Sequence, residues 1–253
     1  MGLDLYAGSL SRYHSADWEI EAVRAMRAMG VGSEVRYTDG PPVRPSKDTA
    51  GAMVALWRRN LELKYAHIIK QGLKWVEIDS MPYFARKSDY DGRRALILAG
   101  AYAEHPELTR PTQLPSTYDE DPAYAEISKD YTGSIVSILE CHMFLPSTEN
   151  FLIAEPDAIG VMRYTTSTAN LAGALRTVNQ AHWRADDARI EAWDKRGALT
   201  QRVVTIKDGK ATKVEEILRP EDSFVHAAQF GFGIYNTALR FSRLHNLPIA
   251  TDE

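Results

Sequence analysis

Residues 135–145 (IVSILECHMFL) are the stretch that decides the predicted fold. Apolar side chains occupy both alternating faces of this run. That pattern is typical of a strand at the centre of a sheet that is covered on both sides. We therefore expect a long core strand here, ending before Pro146.

Shorter strand patterns lie on both sides of this stretch. The N-terminal run Leu3–Ala7 alternates apolar and polar residues and stops at Gly8. Asp208-Gly209 separates two further apolar runs and predicts a two-residue hairpin turn. The predicted strands are 3–7, 74–78, 135–145, 158–164, 203–206 and 211–214.

The clearest helical pattern runs from Asp48 to Gln71, where Val54, Trp57 and Leu61 recur at helical spacing. We expect Trp57 to lie in the core. Ser15 is a candidate N-cap for an earlier helix. The predicted helices are 17–29, 48–71, 93–103, 168–181, 185–193 and 222–244.

These elements predict a single α+β domain in which helices pack around a mixed sheet. The stretch 105–122 contains four prolines and is the best candidate for a domain boundary. We interpret it as a surface loop, because the expected core strand follows it. Residues 38–46 and 79–92 are also expected to be loops.

Composition excludes several classes of function. A formal net charge of −4, without a dense Lys/Arg cluster, gives no basis for nucleic-acid binding. No apolar run is long enough to cross a membrane, and no signal peptide is apparent. Cys141 is the one cysteine, so an intrachain disulfide is impossible and a reducing, cytoplasmic location is expected.

Glu140 and His142 are the candidate catalytic residues. Two apart on the predicted strand, they would share one face and form an acid–base pair or half of a metal site. Asp4 or Tyr6 is the expected third group. The alternative is a structural hydrogen-bonded pair near a strand end. No spacing identifies a further metal ligand, and no cofactor is indicated.

A second candidate group surrounds the first strand and its exit loop. Asp4, Tyr6, Arg12 and Tyr13, with His14 beside them, are candidate binding residues, because loops that leave a sheet often carry function. The alternative is that Asp4 pairs with Arg12 while the tyrosines cover the rim of the core.

A run of hydroxyl residues, 165–168 (TTST), precedes a predicted helix. A helix N-terminus of this kind can bind an anion. Helix capping explains the same residues more simply, since the glycines and lysine of a phosphate-binding loop are missing.

Residues 1–13 (MGLDLYAGSLSRY) and 140–146 (ECHMFLP), with the following helix that carries Leu175 and Asn179, resemble segments of an uncharacterised group of bacterial cytosolic proteins. The resemblance covers scattered segments and implies no catalytic residue. It implies a bacterial, cytoplasmic protein.

Two functions are compatible with these patterns. The first is a non-catalytic binding protein with a protein partner, such as an immunity-like or regulatory factor. It is favoured by the absence of a recognised catalytic motif and by loops rich in Tyr, Arg and Asp. The second is a small-molecule enzyme that uses Glu140 and His142. The oligomeric state is not indicated.

Overall fold

A computed structural model shows an α+β protein with a mixed six-stranded sheet. The structure describes residues 3–30, 44–78, 80–195, 202–207, 210–216 and 222–252. Within these residues, no helix is long and apolar enough to cross a bilayer. The bounds of the elements are β1 Asp4–Ala7, α1 Leu10–His14, α2 Glu21–Ala28, α3 Lys47–Lys64, β2 Phe84–Lys87, α4 Tyr90–Glu104, α5 Pro122–Ile127, α6 Ile135–Leu139, β3 Met143–Leu145, β4 Leu152–Pro156, β5 Met162–Ser167, α7 Thr168–His182, α8 Asp187–Asp194, β6 Arg202–Lys207, β7 Lys210–Glu216, α9 Ser223–His245 and β8 Ile249–Asp252.

The large sheet has the strand order β2-β1-β8-β3-β5-β4. Only β3 and β5 run parallel; every other neighbouring pair is antiparallel. The hairpin β6-β7 forms a separate two-stranded sheet. Its predicted turn, Asp208-Gly209, lies outside the described residues.

The chain divides into two compact units. Unit 1 comprises residues 1–87, 140–173 and 238–253, and unit 2 comprises residues 88–139 and 174–237. The large sheet belongs to unit 1. Unit 2 contains the whole proline-rich stretch 105–122. A single domain stays a prediction.

The core of unit 1 lies between the sheet and α3. Ser46 caps α3 by accepting the Thr49 N–H, and apolar residues one and two turns apart then face inward. Trp57 is 8% exposed, which confirms its place in the core. Its indole N–H donates to the Pro156 carbonyl at 2.9 Å. The buried cluster comprises Leu10, Val54, Trp57, Leu61, Ile69, Leu73, Trp75, Met143, Leu145, Phe151 and Ile153.

The core of unit 2 is helical and contains an unusually close helix contact. A Cβ on Gly231 of α9 would lie 2.2 Å from the Gly92 carbonyl oxygen of α4, so only glycine allows this approach. Nearby, Trp183, Trp193 and Phe232 meet edge to face at 5.1–6.0 Å between ring centroids. Helices α4 and α9 therefore pack with their backbones in contact at Gly92 and Gly231.

The long core strand predicted over 135–145 is wrong. Residues 135–139 form the short helix α6, and the strand β3 begins only at Met143. Both pieces are buried and apolar, and a five-residue helix followed by a three-residue strand is too short to show either periodicity.

Several other boundaries also differ from the predictions. Residues 74–78 form no strand, and residues 158–164 contain a turn before β5 begins at Met162. Ser15 ends α1 instead of capping a helix, and α2 begins at Glu21. Strands β2, β4 and β8 had no sequence signal. Residues 38–43 of the predicted loop 38–46 lie outside the described residues.

Candidate functional site

The parallel strands β3 and β5 give unit 1 two chemically different ends. At the carboxyl end of β3 the chain continues into Pro146, and at the carboxyl end of β5 it continues into helix α7, which begins at Thr168. At their amino ends lie His142 and the β4–β5 turn. Ligands of open α/β sheets commonly bind at the carboxyl ends of parallel strands.

A cavity of about 390 Å³ occupies the carboxyl end, and we call it the carboxyl-end cavity. Its volume falls within the range of small-molecule sites. The wall combines two cations with hydroxyl and amide groups. It is lined by Gln71, Gly72, Lys74, Pro146, Ser147, Thr148, Thr168, Ala169, Ser242, Arg243 and Asn246.

The start of α7 is held firmly at this cavity. The Ser167 hydroxyl accepts the Asn170 N–H at 3.0 Å, as an N-cap does. The Asn170 amide donates to the Phe151 carbonyl at 3.0 Å and to the Thr166 hydroxyl at 2.9 Å. The capping interpretation of residues 165–168 is thus correct for Ser167. The N–H groups of Thr168 and Ala169, at the first turn, have no carbonyl within the helix to bind.

Thr168 adds a buried donor to that wall. Its side chain is 6% exposed and lines the cavity. Within the described residues its hydroxyl has no hydrogen-bond partner, although Thr166 and Ser167 beside it are both engaged. A hydroxyl that lines a cavity without a protein partner is suited to bind a ligand.

The opposite wall is fixed by the end of α9. The Ser242 hydroxyl donates to the Leu247 carbonyl, and the Asn246 amide donates to the Lys74 carbonyl. Asn246 has a positive φ of 52°, a conformation that asparagine tolerates better than most residues. Arg243 and Lys74 are exposed, and both residues line the cavity.

The amino end carries a different set of side chains. The pairing places Asp4 opposite Asp252 and Tyr6 opposite Ala250. On the next strands, Ala250 lies opposite Met143, and Met143 lies opposite Thr165. Residues directly opposite one another share a face of the sheet. We call six ionisable residues at this end, from the sheet, the β4–β5 turn and α1, the amino-end cluster: Asp4, Tyr13, His14, Asp157, Arg163 and Asp252.

Hydrogen bonds link part of this cluster. The Tyr13 hydroxyl donates to the Thr251 carbonyl at 3.1 Å and lies 3.4 Å from Asp252 Oδ1. Asp157 is buried, accepts the Ile159 and Val161 N–H groups at 3.0 Å, and pairs with Arg163 at 3.5 Å. Burial raises the pKa of Tyr13. The tyrosine is therefore a neutral donor at physiological pH.

His14 is 1% exposed, and within the described residues neither ring nitrogen has a hydrogen-bond partner. Burial lowers the pKa of the imidazole. Asp157 opposes that effect, while Arg163 and Arg44 strengthen it. The ring is therefore neutral at pH 7. An uncharged histidine at this depth costs stability because both nitrogens are desolvated without compensation.

Asp4 is the second member of the cluster with an unpaired polar atom among the described residues. Its Oδ1 atom is buried without a partner. Burial raises the pKa of Asp4 to about 6; Lys87, across from it on β2, opposes the increase, and Asp252 adds to it. The alternative pairing of Asp4 with Arg12 is not found.

Tyr6 and Arg12 lie in an aromatic layer next to the cluster. The Tyr6 hydroxyl donates to the Ser9 carbonyl at 2.9 Å, and its ring stands 5.5 Å from that of Tyr13. Arg12 lies over the Tyr83 ring at 4.9 Å and donates to the Met81 carbonyl. The structure thus brings Tyr6, Arg12 and Tyr13 together, largely buried.

Glu140 and His142 precede β3, so the strand that would have aligned them on one face is missing here. The His142 ring stacks on Tyr164 at 6.0 Å, and its Nδ1 accepts the Tyr164 N–H at 3.3 Å. A neutral ring held in this way has its proton on Nε2 and presents a donor instead of a base. Neither residue lines the carboxyl-end cavity.

Within the part of the chain that the structure describes, no group of three or more His, Cys, Asp or Glu side chains could hold a metal ion. No family model, curated protein or solved structure matches the chain. The resemblance to the bacterial group therefore stays a prediction. Lys74, Ser147 and Arg243 were not identified from sequence, because the segments that hold them are far apart along the chain.

Proposed function

We propose that unit 1 binds a small anionic molecule in the carboxyl-end cavity. The observation that supports this function is the convergence of Lys74, Arg243 and the start of α7 on one pre-formed cavity. Both side chains are cations at neutral pH, and a helix N-terminus carries partial positive charge. All three attract the same ligand charge.

The wall also supplies the neutral contacts that a specific site needs. Hydroxyl groups of Ser147, Thr148 and Thr168 can donate to ligand oxygens, while Pro146 and Ala169 offer apolar surface. A few polar groups on a largely fixed wall set the orientation of a ligand. This arrangement supports the binding of a small molecule, which differs from both functions considered from sequence: the first had a protein partner, and the second was an enzyme that uses Glu140 and His142.

Two finer expectations remain proposals. A cytoplasmic location is supported by Cys141, a fully buried cysteine that forms no disulfide and so suits a reducing compartment. A protein partner stays a prediction, which a pull-down from the native host at low salt would test.

Binding is tested by thermal unfolding against a set of small anions and their neutral analogues at low ionic strength. A ligand that binds only the folded state stabilises it by about 2.7 kcal/mol at one hundred times its Kd. We expect anions, and not neutral analogues, to raise Tm, with an effect that falls as salt increases.

The matched variants are Arg243→Gln and Arg59→Gln. Both remove one exposed guanidinium from a helix of unit 1, but only Arg243 lines the cavity. Loss of the Tm increase in Arg243→Gln alone supports the site. An equal response in the two variants, or no anion response in the wild type, would reject it.

A further inference from the structure

We infer that the anionic group is a phosphate monoester, bound at the start of α7. This inference rests on the proposed function and specifies which anion the cavity selects. The candidates are a carboxylate, which offers two oxygens, and a phosphate monoester, which offers three terminal oxygens and a second negative charge at neutral pH.

The number of donors favours the phosphate. The Ala169 N–H lies in the first turn of α7 and has no carbonyl within the helix to bind, and the Thr168 hydroxyl has no hydrogen-bond partner among the described residues. Ser147 accepts the Glu149 N–H at 3.1 Å, so its own hydroxyl hydrogen remains free to donate. The Thr148 hydroxyl completes the set. These four donors from two segments can be shared among three phosphate oxygens, whereas a carboxylate offers them only two oxygens.

The charges point the same way. Lys74, Arg243 and the helix N-terminus together offer more positive charge than one carboxylate neutralises. The nearest acidic side chain in the loop after β3 is Glu149, whose Oε1 accepts the Lys70 and Gln71 N–H groups at 2.8 and 3.2 Å. The Oε2 atom of Glu149 is buried with no hydrogen-bond partner among the described residues, and Glu149 does not line the cavity.

The cavity is larger than a phosphate group needs. The rest of its wall, from Gln71 and Gly72 to Asn246, is polar or lacks a bulky side chain. A compact hydroxylated molecule that carries the phosphate would fill the rest of the cavity. The ligand class is therefore a phosphate ester of a small polar alcohol or sugar, with the phosphate at Thr168 and the hydroxyl groups towards Gln71 and Asn246.

The test is an NMR titration of the full chain with inorganic phosphate, acetate, glycerol 3-phosphate and glycerate. We expect the Thr168 and Ala169 amide resonances to shift with the two phosphates, and glycerol 3-phosphate to bind at least about tenfold more tightly than glycerate. Phosphate affinity should fall as pH drops from 7.5 to 5, because the second ionisation has a pKa near 6, while glycerate affinity should not.

Thr168→Val removes the hydroxyl with little change of shape, and Thr168→Ser restores it. We expect about tenfold weaker phosphate binding in the valine variant and recovery in the serine variant, with Tm of the free proteins as the folding check.

The outcomes separate the two proposals. Equal affinities for glycerate and glycerol 3-phosphate, both lost in Arg243→Gln, overturn the phosphate and leave the anion site standing. Tight phosphate binding that Thr168→Val does not change overturns the placement at α7. Failure of every anion to bind in an Arg243-dependent way removes both proposals.

Discussion

The two ends of the β3–β5 pair place polar groups in opposite environments. At the carboxyl end, Lys74 and Arg243 remain hydrated at the mouth of a cavity. At the amino end, His14 is buried and Asp4 is half-buried, and both His14 nitrogens and the Asp4 Oδ1 atom have no hydrogen-bond partner among the described residues. Hydrated cations beside a cavity cost little and can attract a ligand, whereas unpaired buried groups reduce stability. The difference teaches that polar residues on one sheet can serve binding at one end and weaken the fold at the other.

The largest expected effect comes from the core that both ends share. Trp57→Ala should lower the free energy of unfolding by about 3–5 kcal/mol, because it opens a large cavity and removes the bond to Pro156. Urea titration measures the change. Leu56→Ala, on the exposed side of α3, is the control and should stay within about 0.5 kcal/mol. A loss below about 1 kcal/mol for Trp57→Ala would show that α3 does not cover the sheet.

His14→Leu is expected to stabilise the protein at pH 7, by about 1–3 kcal/mol, since an apolar side chain of similar size removes two desolvated nitrogens. The wild type should also lose stability as pH falls below 6.5, because the lowered pKa means that the unfolded state takes up the proton first; the variant should lack this component. A destabilised variant would mean that the imidazole has partners and that the two ends do not differ in this way.

Asp4→Asn should also stabilise the protein, by a smaller amount, and the dependence of this effect on pH should be the reverse of that for His14. With a folded pKa of about 6, raised from 3.8, the stability gained by protonating Asp4 is complete below pH 3.8 and lost as pH rises through about 6. After allowance for partial exposure, we expect the asparagine variant to be about 1 kcal/mol more stable than the wild type at pH 7.5. The difference should shrink towards pH 4. If the difference in the free energy of unfolding between the variant and the wild type did not change with pH, it would not come from the ionisation of Asp4.

The smallest effect on stability is expected at the cavity. Arg243→Gln should change the free energy of unfolding by no more than about 0.5 kcal/mol in the absence of ligand, because the side chain is exposed. Chemical denaturation of the free variant beside the wild type measures this. A loss above 1 kcal/mol would assign Arg243 a structural role at the C-terminus of α9 and would weaken the comparison between the two ends.

The sequence predicted the helices better than the strands. The spacing of Val54, Trp57 and Leu61 located α3, because apolar residues recur at this spacing over successive turns. Strands of three or four residues, such as β3 and β8, contain too few repeats to be recognised. Helix α1 was missed for another reason: Glu77 caps it by accepting the Leu10 and Ser11 N–H groups at 3.0 and 2.8 Å, and that cap lies far away in sequence.

The candidate sites were likewise predicted where their residues are close in sequence and missed where the residues come from distant segments. Tyr6, Arg12 and Tyr13 are close in sequence, and the structure does bring them together. Lys74, Ser147, Thr168 and Arg243 converge only because the fold joins four distant segments. Thr168 had a local signal as part of a hydroxyl run before a helix, but capping accounted for that run equally well until the cavity beside it was seen.

The position of β8 has a consequence for biosynthesis. This strand lies between β1 and β3, so Asp4 meets Asp252 and nearly the entire described chain separates the two. On the ribosome, β1 and β3 must wait for residues 249–252 before they can join one sheet. Such distant pairings form slowly, and waiting strands are open to wrong partners. We therefore expect nascent chains that lack β8 to depend on chaperones and to be readily cleaved by proteases.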